Sequence, residues 1–218
     1  MRNQLENSKQ YWNEFYKNCN CELLNTPTSF AIFCIEKYLN KKSNIVEIGS
    51  GNGRDSIYFA HKKHTVYAID LSHEAIKLEQ KIIPGDIQNN INLINDNFIT
   101  YNYNQIKKID VFYSRFTMHT ITEKDEDIIL QKIYDSLSQE GLCFIEARTI
   151  NDPMMSKGTK LSQYEIYTDH YRRFIDSNKF LKKCLKLGFS LEYFTEEKNL
   201  SIYNNDNPAL LRIILKKN

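Results

Sequence analysis

The stretch Asn44-Ile45-Val46-Glu47-Ile48-Gly49-Ser50-Gly51-Asn52-Gly53-Arg54-Asp55 decides the fold, together with Thr65-Val66-Tyr67-Ala68-Ile69-Asp70 a short helix-like segment later. A buried apolar strand runs into a turn of alternate glycines, a helix leads away, and a second strand ends on a carboxylate. The chain holds only seven glycines, and three of them stand in this turn. Gly49 and Gly51 allow positive φ and a close approach of backbone to ligand, and Gly53 lets the next helix start against the strand. In a parallel sheet, ligands bind outside the carboxyl ends of the strands, where this turn falls. Asp70 ends the neighbouring strand, placed to accept hydrogen bonds from two ribose hydroxyls. The pattern predicts a site for a nucleoside-bearing cofactor.

Outward from the turn, strands alternate with helices. Strand Ile45–Ile48 precedes helix Arg54–His61, and strand Thr65–Ile69 precedes helix Ser72–Ile82. Further strands are expected at Ile91–Ile94, at Ile109–Tyr113 and at Leu142–Ala147, the last opened by Gly141, with a helix from about Glu123 to Ser138 before it. Gln4 to Lys17 reads as an amphipathic helix. A second helix starts at Thr26-Pro27-Thr28, with Pro27 early in its first turn, and runs to about Leu39. A polar insertion from Arg148 to Asp169 breaks the rhythm. Helix Ser177–Leu187 then stops at Gly188, and strands at about Ser190–Phe194 and Leu210–Leu215 follow. Their proximity suggests an antiparallel edge pair, because a parallel crossover needs more chain. The whole predicts an α/β fold: a Rossmann-like, seven-stranded, mostly parallel sheet with helices on both faces, an antiparallel edge hairpin and N-terminal lid helices. One domain over 1–218 is expected: lid 1–40, cofactor core 41–150, insertion 151–176, C-terminal part 177–218.

A length of 218 residues suits one domain, burying roughly 70% of its unfolded surface. A formal charge of +2 with scattered lysines argues against nucleic acid as a partner. The polar start and the absence of a long apolar run point to a cytoplasmic protein with no membrane partner. Five dispersed cysteines lack a disulfide or metal framework. Cys19-Asn20-Cys21 alone hints at a metal or redox pair, and plain reduced thiols and no metal are the expectation. His61, His64 and His73 read as surface residues.

Two cofactors compete for the turn. A dinucleotide site prefers G-x-G-x-x-G with pyrophosphate on the helix N-terminus. Here the spacing is G-x-G-x-G, Glu47 precedes the first glycine, and Asp55 follows the last. Carboxylates there repel pyrophosphate and welcome a sulfonium and an ammonium. The pattern resembles the class I S-adenosylmethionine-dependent methyltransferases over about residues 40 to 150. By that resemblance Glu47, Gly49, Gly51, Gly53, Arg54 and Asp55 line the methionine end of S-adenosyl-L-methionine, with Arg54 either on the methionine carboxylate or paired to Asp55. Asp70 and Leu71 hold the ribose. Asp96-Asn97-Phe98 meets the adenine, Asp96 accepting from its amine and Phe98 stacking, the lesser alternative at Asp96 being a plain surface turn. Ser114 completes the cofactor set. The family's N-terminal helix folds over the cofactor, which makes Tyr11-Trp12 and Thr26–Phe30 lid segments, and core packing explains Trp12 and Phe30 equally well.

In this family the acceptor pocket follows the fourth strand, here Ser114-Arg115-Phe116-Thr117-Met118-His119. The Asn/Asp-Pro-Pro-Tyr signature of base and amide methylation and a Pro-Cys nucleophile are both absent, which points to a small-molecule acceptor methylated at oxygen. Arg115, Arg148, Arg172 and Arg173 are expected to converge on the carboxyl-end rim. Guanidinium forks suit phosphate or carboxylate, so an anionic acceptor is favoured, the alternative being that Arg172 and Arg173 only solvate a loop. His119 is the best general base, with a satisfied buried histidine as its alternative and His170 in reserve. The expected catalytic set is His119, Arg115 and Tyr171. Tyr11, Arg115, His119, Arg148, His170, Tyr171, Arg172 and Arg173 would bind substrate. With His170-Tyr171-Arg172-Arg173-Phe174, the chain looks like the small methyltransferases of bacterial capsule and surface-glycan loci, including enzymes thought to build O-methyl phosphoramidate. The rivals are another small-metabolite methyltransferase, a nicotinamide-dependent oxidoreductase, and a non-catalytic S-adenosylmethionine-binding protein. A monomer or homodimer is expected.

Overall fold

The computed structural model describes residues 2–18 and 26–218, so the Cys19-Asn20-Cys21 pair lies outside the described residues. Two compact units divide the chain, Met1–Asn102 and Tyr103–Asn218.

The first unit carries α1 (Arg2–Asn18), α2 (Ser29–Tyr38), β1 (Asn44–Ile48), α3 (Arg54–His61), β2 (Thr65–Asp70), α4 (His73–Ile82) and β3 (Ile91–Asn95). Its three strands are parallel, with Ile48 opposite Ile69 and Ile69 opposite Ile94. Ile45, Val46, Ile48, Val66, Ala68 and Ile69 are all fully buried, as continuous apolar strands covered on both faces must be. Hydroxyl caps set the helix starts: Thr28 Oγ1 accepts from Ala31 N at 3.1 Å, and Ser72 Oγ accepts from Ala75 N at 3.1 Å. Pro27 therefore stands before the cap, not in the first helical turn as expected. His64 is buried, where a surface residue was expected, because its Nδ1 accepts from Ser43 N at 3.1 Å.

The second unit carries β4 (Ile109–Arg115), α5 (Glu123–Ser136), β5 (Leu137–Arg148), β6 (Thr159–Lys160), β7 (Glu165–Tyr167), β8 (Tyr171–Arg173), α6 (Ser177–Leu187), β9 (Phe189–Glu197) and β10 (Leu210–Lys217). β4 and β5 are parallel, and β10 runs antiparallel to both β5 and β9. β5 starts at Leu137, four residues before the expected Gly141. The ladder with β4 slips between Ile109 and Val111, and Glu140 takes φ +63°, so Gly141 lies in an irregularity inside the strand. The polar insertion is not a plain loop: β6, β7 and β8 form a separate antiparallel sheet. α6 ends at Gly188 with φ +107°.

Across the chain the strand order is β3-β2-β1-β4-β5-β10-β9, a seven-stranded, mostly parallel Rossmann-like sheet with helices between the strands. Among the described residues no helix is long and apolar enough to cross a membrane.

Candidate active site

Gly49 and Gly51 adopt φ +73° and +60°, the left-handed freedom expected of them, and Gly53, expected only to let the helix start against the strand, takes φ +75° as well. Asp70 at the end of β2 clamps the turn: Oδ2 accepts from Gly51 N at 2.9 Å and Oδ1 from Ser72 N at 2.8 Å. Each carboxylate oxygen retains a second lone pair, enough to receive two ligand hydroxyls. Burial lifts the Asp70 carboxyl to about 6, against the pull of those two backbone donors.

Beneath the turn lies a chain of buried carboxyls and hydroxyls. Ser56 Oγ donates to Glu47, and Ser50 Oγ donates to Glu79 Oε2 at 2.9 Å. Among the described residues Glu79 Oε1 has no hydrogen-bond partner. Burial, then the nearby Asp55 and Glu79 carboxylates, push Glu47 well above the usual carboxylate range. Burial carries Glu79 to about 8 despite its serine donors. A Cβ on Gly53 would collide with the Glu79 side chain, so glycine is required here by packing as well as by φ. Glu79 escaped the sequence reading, yet it stands at the i+4 position from Ala75 on the buried face of α4, a spacing that marks it as facing inward.

Asp55, expected at the cofactor, has both oxygens on α2: Oδ1 accepts from Thr28 N and Oδ2 from Thr28 Oγ1, each at 2.8 Å. Arg54 is half-buried beside it. Asn13 Oδ1 on α1 accepts from Ser72 Oγ at 2.8 Å, which fastens α1 to the start of α4. A Cβ on Gly51 would strike the Tyr16 hydroxyl, so α1 does lie over the turn. Burial and then Asp70 raise that hydroxyl far above its ordinary range. Within α1, Tyr11 meets Trp12 edge-on at 5.0 Å and stacks on Phe15 at 6.3 Å between ring centroids. After β3, Asp96 is exposed and Asn97 half-buried, with Asp96 Oδ1 accepting from Asn97 N at 2.6 Å; Phe98 is buried. Leu71 is half-buried, its carbonyl accepting from Asn95 Nδ2 at 3.1 Å.

The second unit gathers the other candidates. Arg115 and Arg212 share the fully buried Glu146, through Nε–Oε1 at 2.9 Å and Nε–Oε2 at 2.5 Å. Arg212 escaped the sequence reading; its signal is a lone cation inside the apolar run of β10. Arg148 is buried between Asp152, at 2.9 Å, and Asp206. Phe116 takes φ +57°, strained for a side chain of that size, with the Arg115 guanidinium 4.0 Å and the Arg148 guanidinium 5.5 Å from its ring centroid. His119 packs edge-on against the same ring at 5.6 Å. Its Nδ1 accepts from Arg148 N at 3.4 Å, which puts the imidazole proton on Nε2. Burial, then Arg148, Arg172, His170 and Arg115, hold His119 well below its ordinary range, so the ring is neutral. Burial and Arg172 hold His170 down at about 4.

Arg172 bonds Asp169 at 2.7 Å. Arg173 turns away to Glu126 and the Ile121 carbonyl, on the α5 side. The Tyr171 hydroxyl donates to Glu165, and burial with that carboxylate raises it far above its ordinary range. Ser114 is buried on β4, its Oγ without a partner among the described residues. The structure thus brings Arg115, Arg148, Phe116, His119 and His170 together, and ties Arg173 and Tyr171 to the α5 side of the insertion.

The first-unit site suits S-adenosylmethionine by its own geometry. Three positive-φ glycines form the cradle, Asp70 is fixed with spare lone pairs, and the buried carboxyls, with an unpartnered oxygen on Glu79, favour a cation over a pyrophosphate. Comparison with known proteins agrees. Residues 45–141 match the family described as a methyltransferase domain. A carboxy-S-adenosyl-L-methionine synthase from Nautilia profundicola is 22% identical over 187 residues, 84% of this chain and 77% of that protein. A solved S-adenosylmethionine-dependent methyltransferase from Anabaena variabilis shares the fold with a TM-score of 0.74 at 15% identity, covering 98% of this chain and 95% of its own. So does the Burkholderia thailandensis 1,6-didemethyltoxoflavin-N1-methyltransferase, solved with 1,6-didemethyltoxoflavin and S-adenosylhomocysteine, with a TM-score of 0.72 at 14% identity over 97% of this chain and 88% of that one. Residues 45–141 thus match a methyltransferase domain, and the chain shares the fold of solved S-adenosylmethionine-dependent methyltransferases.

Proposed function

We propose that the protein methylates a small acceptor at an oxygen that arrives already anionic. The observation that carries this reading is the state of His119. A neutral imidazole with its proton on Nε2 donates a hydrogen bond and does not remove a proton. The cations that depress it, Arg115, Arg148 and Arg172, make the same place favourable to an oxyanion. His119 and the Arg115–Phe116–Arg148 stack then hold and orient the acceptor. Bound S-adenosylmethionine supplies an electrophilic methyl group; alignment of the attacking oxygen provides most of the acceleration. Glu47, the glycine turn, Asp70 and Asp96-Asn97-Phe98 are the proposed cofactor contacts. The acceptor class is a phosphate-, phosphoramidate- or carboxylate-bearing small molecule, as used in surface-polysaccharide modification, and the work is cytoplasmic. Arg173 and Tyr171, paired with Glu126 and Glu165, shape the insertion instead of meeting the acceptor.

The test is calorimetry with S-adenosylmethionine and NADH, followed by methyl transfer to a panel of small phosphates and carboxylates. Binding of S-adenosylmethionine with S-adenosylhomocysteine formed only with anionic acceptors supports the reading; tight NADH binding without S-adenosylmethionine binding overturns it. A second reading draws on the Nautilia profundicola relative, whose name states that it makes a carboxylated S-adenosylmethionine. The Arg115 and Arg148 guanidiniums over Phe116 suit a carboxylate too. The mass of the product separates the two.

A further inference from the structure

The carboxyl chain under the glycine turn exceeds what cofactor hydrogen bonding needs. Glu79 is fully buried on α4, with one oxygen on Ser50 and the other without a partner among the described residues, and it presses against the underside of Gly53. Ser56, in the first turn of α3, donates to Glu47 and stands near enough to Glu79 to act on its carboxyl, so one hydroxyl lies between the two acids. The charged groups that face this chain are Asp70 from β2, Asp55 and Arg54 from α3, and the Tyr16 hydroxyl from α1. On the exposed side of α4, Glu74 is answered by Lys77 at 3.0 Å, and Lys17 of α1 acts on Glu74. Arg54 is the cation that acts on Glu47 and on the Tyr16 hydroxyl.

We propose that Glu79, buried beside Glu47 with one oxygen unpartnered among the described residues, is a charge-matching positioning residue that tells the cationic methyl donor from its neutral product: the chain loses one proton to solvent when the sulfonium-bearing donor binds and keeps it when the thioether product binds. The proton leaves as Glu79–COOH becomes Glu79–COO⁻ plus a proton taken up by buffer; no other bond changes. The physical reason is that a second negative charge in this pocket is unfavourable until a positive charge arrives. The raised carboxyl of Glu79, at about 8, agrees with a proton held at neutral pH. The consequence is directional. Above pH 8 the site favours donor over product, and below it the preference narrows.

This rests on the donor reading given above, and the test separates the two. Titration calorimetry of S-adenosylmethionine and of S-adenosylhomocysteine at pH 7, in buffers of different ionisation enthalpy, counts protons exchanged. The expected result is release of close to one proton with the donor, none with the product, and no release with either in Glu79→Gln, where donor affinity falls at least fivefold relative to product. Equal release with both ligands, or release that survives in Glu79→Gln, overturns the inference and leaves the donor reading standing. Failure of both ligands to bind the wild-type chain overturns both. Should Glu79→Gln fold poorly, ligand-free stability against pH decides. A carboxyl raised on folding makes the native state lose stability as pH climbs from about 4.5 through about 8. That loss is expected to reach higher pH in Ser50→Ala, which removes a donor to Glu79, than in the wild type; identical profiles overturn the proposal.

Discussion

The two units hold their buried charges in opposite ways. Around the glycine turn, Glu47, Asp55, Asp70 and Glu79 crowd together, with Arg54 acting on Glu47, and burial raises Glu47, Asp70 and Glu79. In the second unit each arginine has a carboxylate: Arg115 and Arg212 on Glu146, Arg148 on Asp152 and Asp206, Arg172 on Asp169, Arg173 on Glu126. Buried charge without a partner is costly and is retained where a ligand completes it; buried charge with a partner organises the fold. The acids read as binding machinery. Most of the arginines read as scaffold, with Arg115 and Arg148 also offering the proposed acceptor their stack on Phe116 and a field at His119.

The sharpest way to break that contrast is Glu146→Ala. It strands the Arg115 and Arg212 guanidiniums in the interior and is expected to cost about 3–5 kcal/mol of stability, read as a lower denaturant midpoint. Asp70→Asn attacks the acid side without comparable unfolding. S-adenosylmethionine affinity is expected to fall about 10- to 100-fold by calorimetry, with thermal stability changing far less than in the Glu146 variant. His170→Gln probes the arginine field through pH. A histidine held at about 4 in the folded chain and at 6.5 when unfolded contributes stability above pH 6.5 that is lost as pH falls toward 4. The variant is expected to flatten that acid decline in part, since His119 acts in the same sense. Arg172→Gln is the smallest: its partner Asp169 is largely exposed, and stability is expected to stay within about 1 kcal/mol, while acceptor KM rises.

The sequence carried the glycine turn and its acid with little loss. Positive φ at Gly49 and Gly51 and the position of Asp70 follow from spacing, because local backbone sterics leave few alternatives. Helix α3 and the stop at Gly188 were legible for the same reason. The β6–β8 sheet was not, since Thr159–Lys160 and Tyr171–Arg173 are too short and too polar to show a period. The roles of the arginines were half legible. Residue type placed them at strand ends, but Glu146 sits on a neighbouring strand and Asp206 in a distant turn, and such pairings are set by tertiary contact. Asp55 shows the same limit: its position beside the glycines suggested the cofactor, and its oxygens lie on Thr28.

The Arg212–Glu146 pair has one more consequence. β10 reads Leu-Leu-Arg-Ile-Ile-Leu and is buried on both sides, so hydrophobic alternation says little about how it aligns on β5. Arg212 lies directly opposite Glu146 in the antiparallel ladder. A slip of one residue would move the guanidinium to the other face of the sheet and leave the carboxylate facing hydrocarbon. The pair therefore acts as an indexing pin that fixes the register of β10 on β5 in the folded sheet.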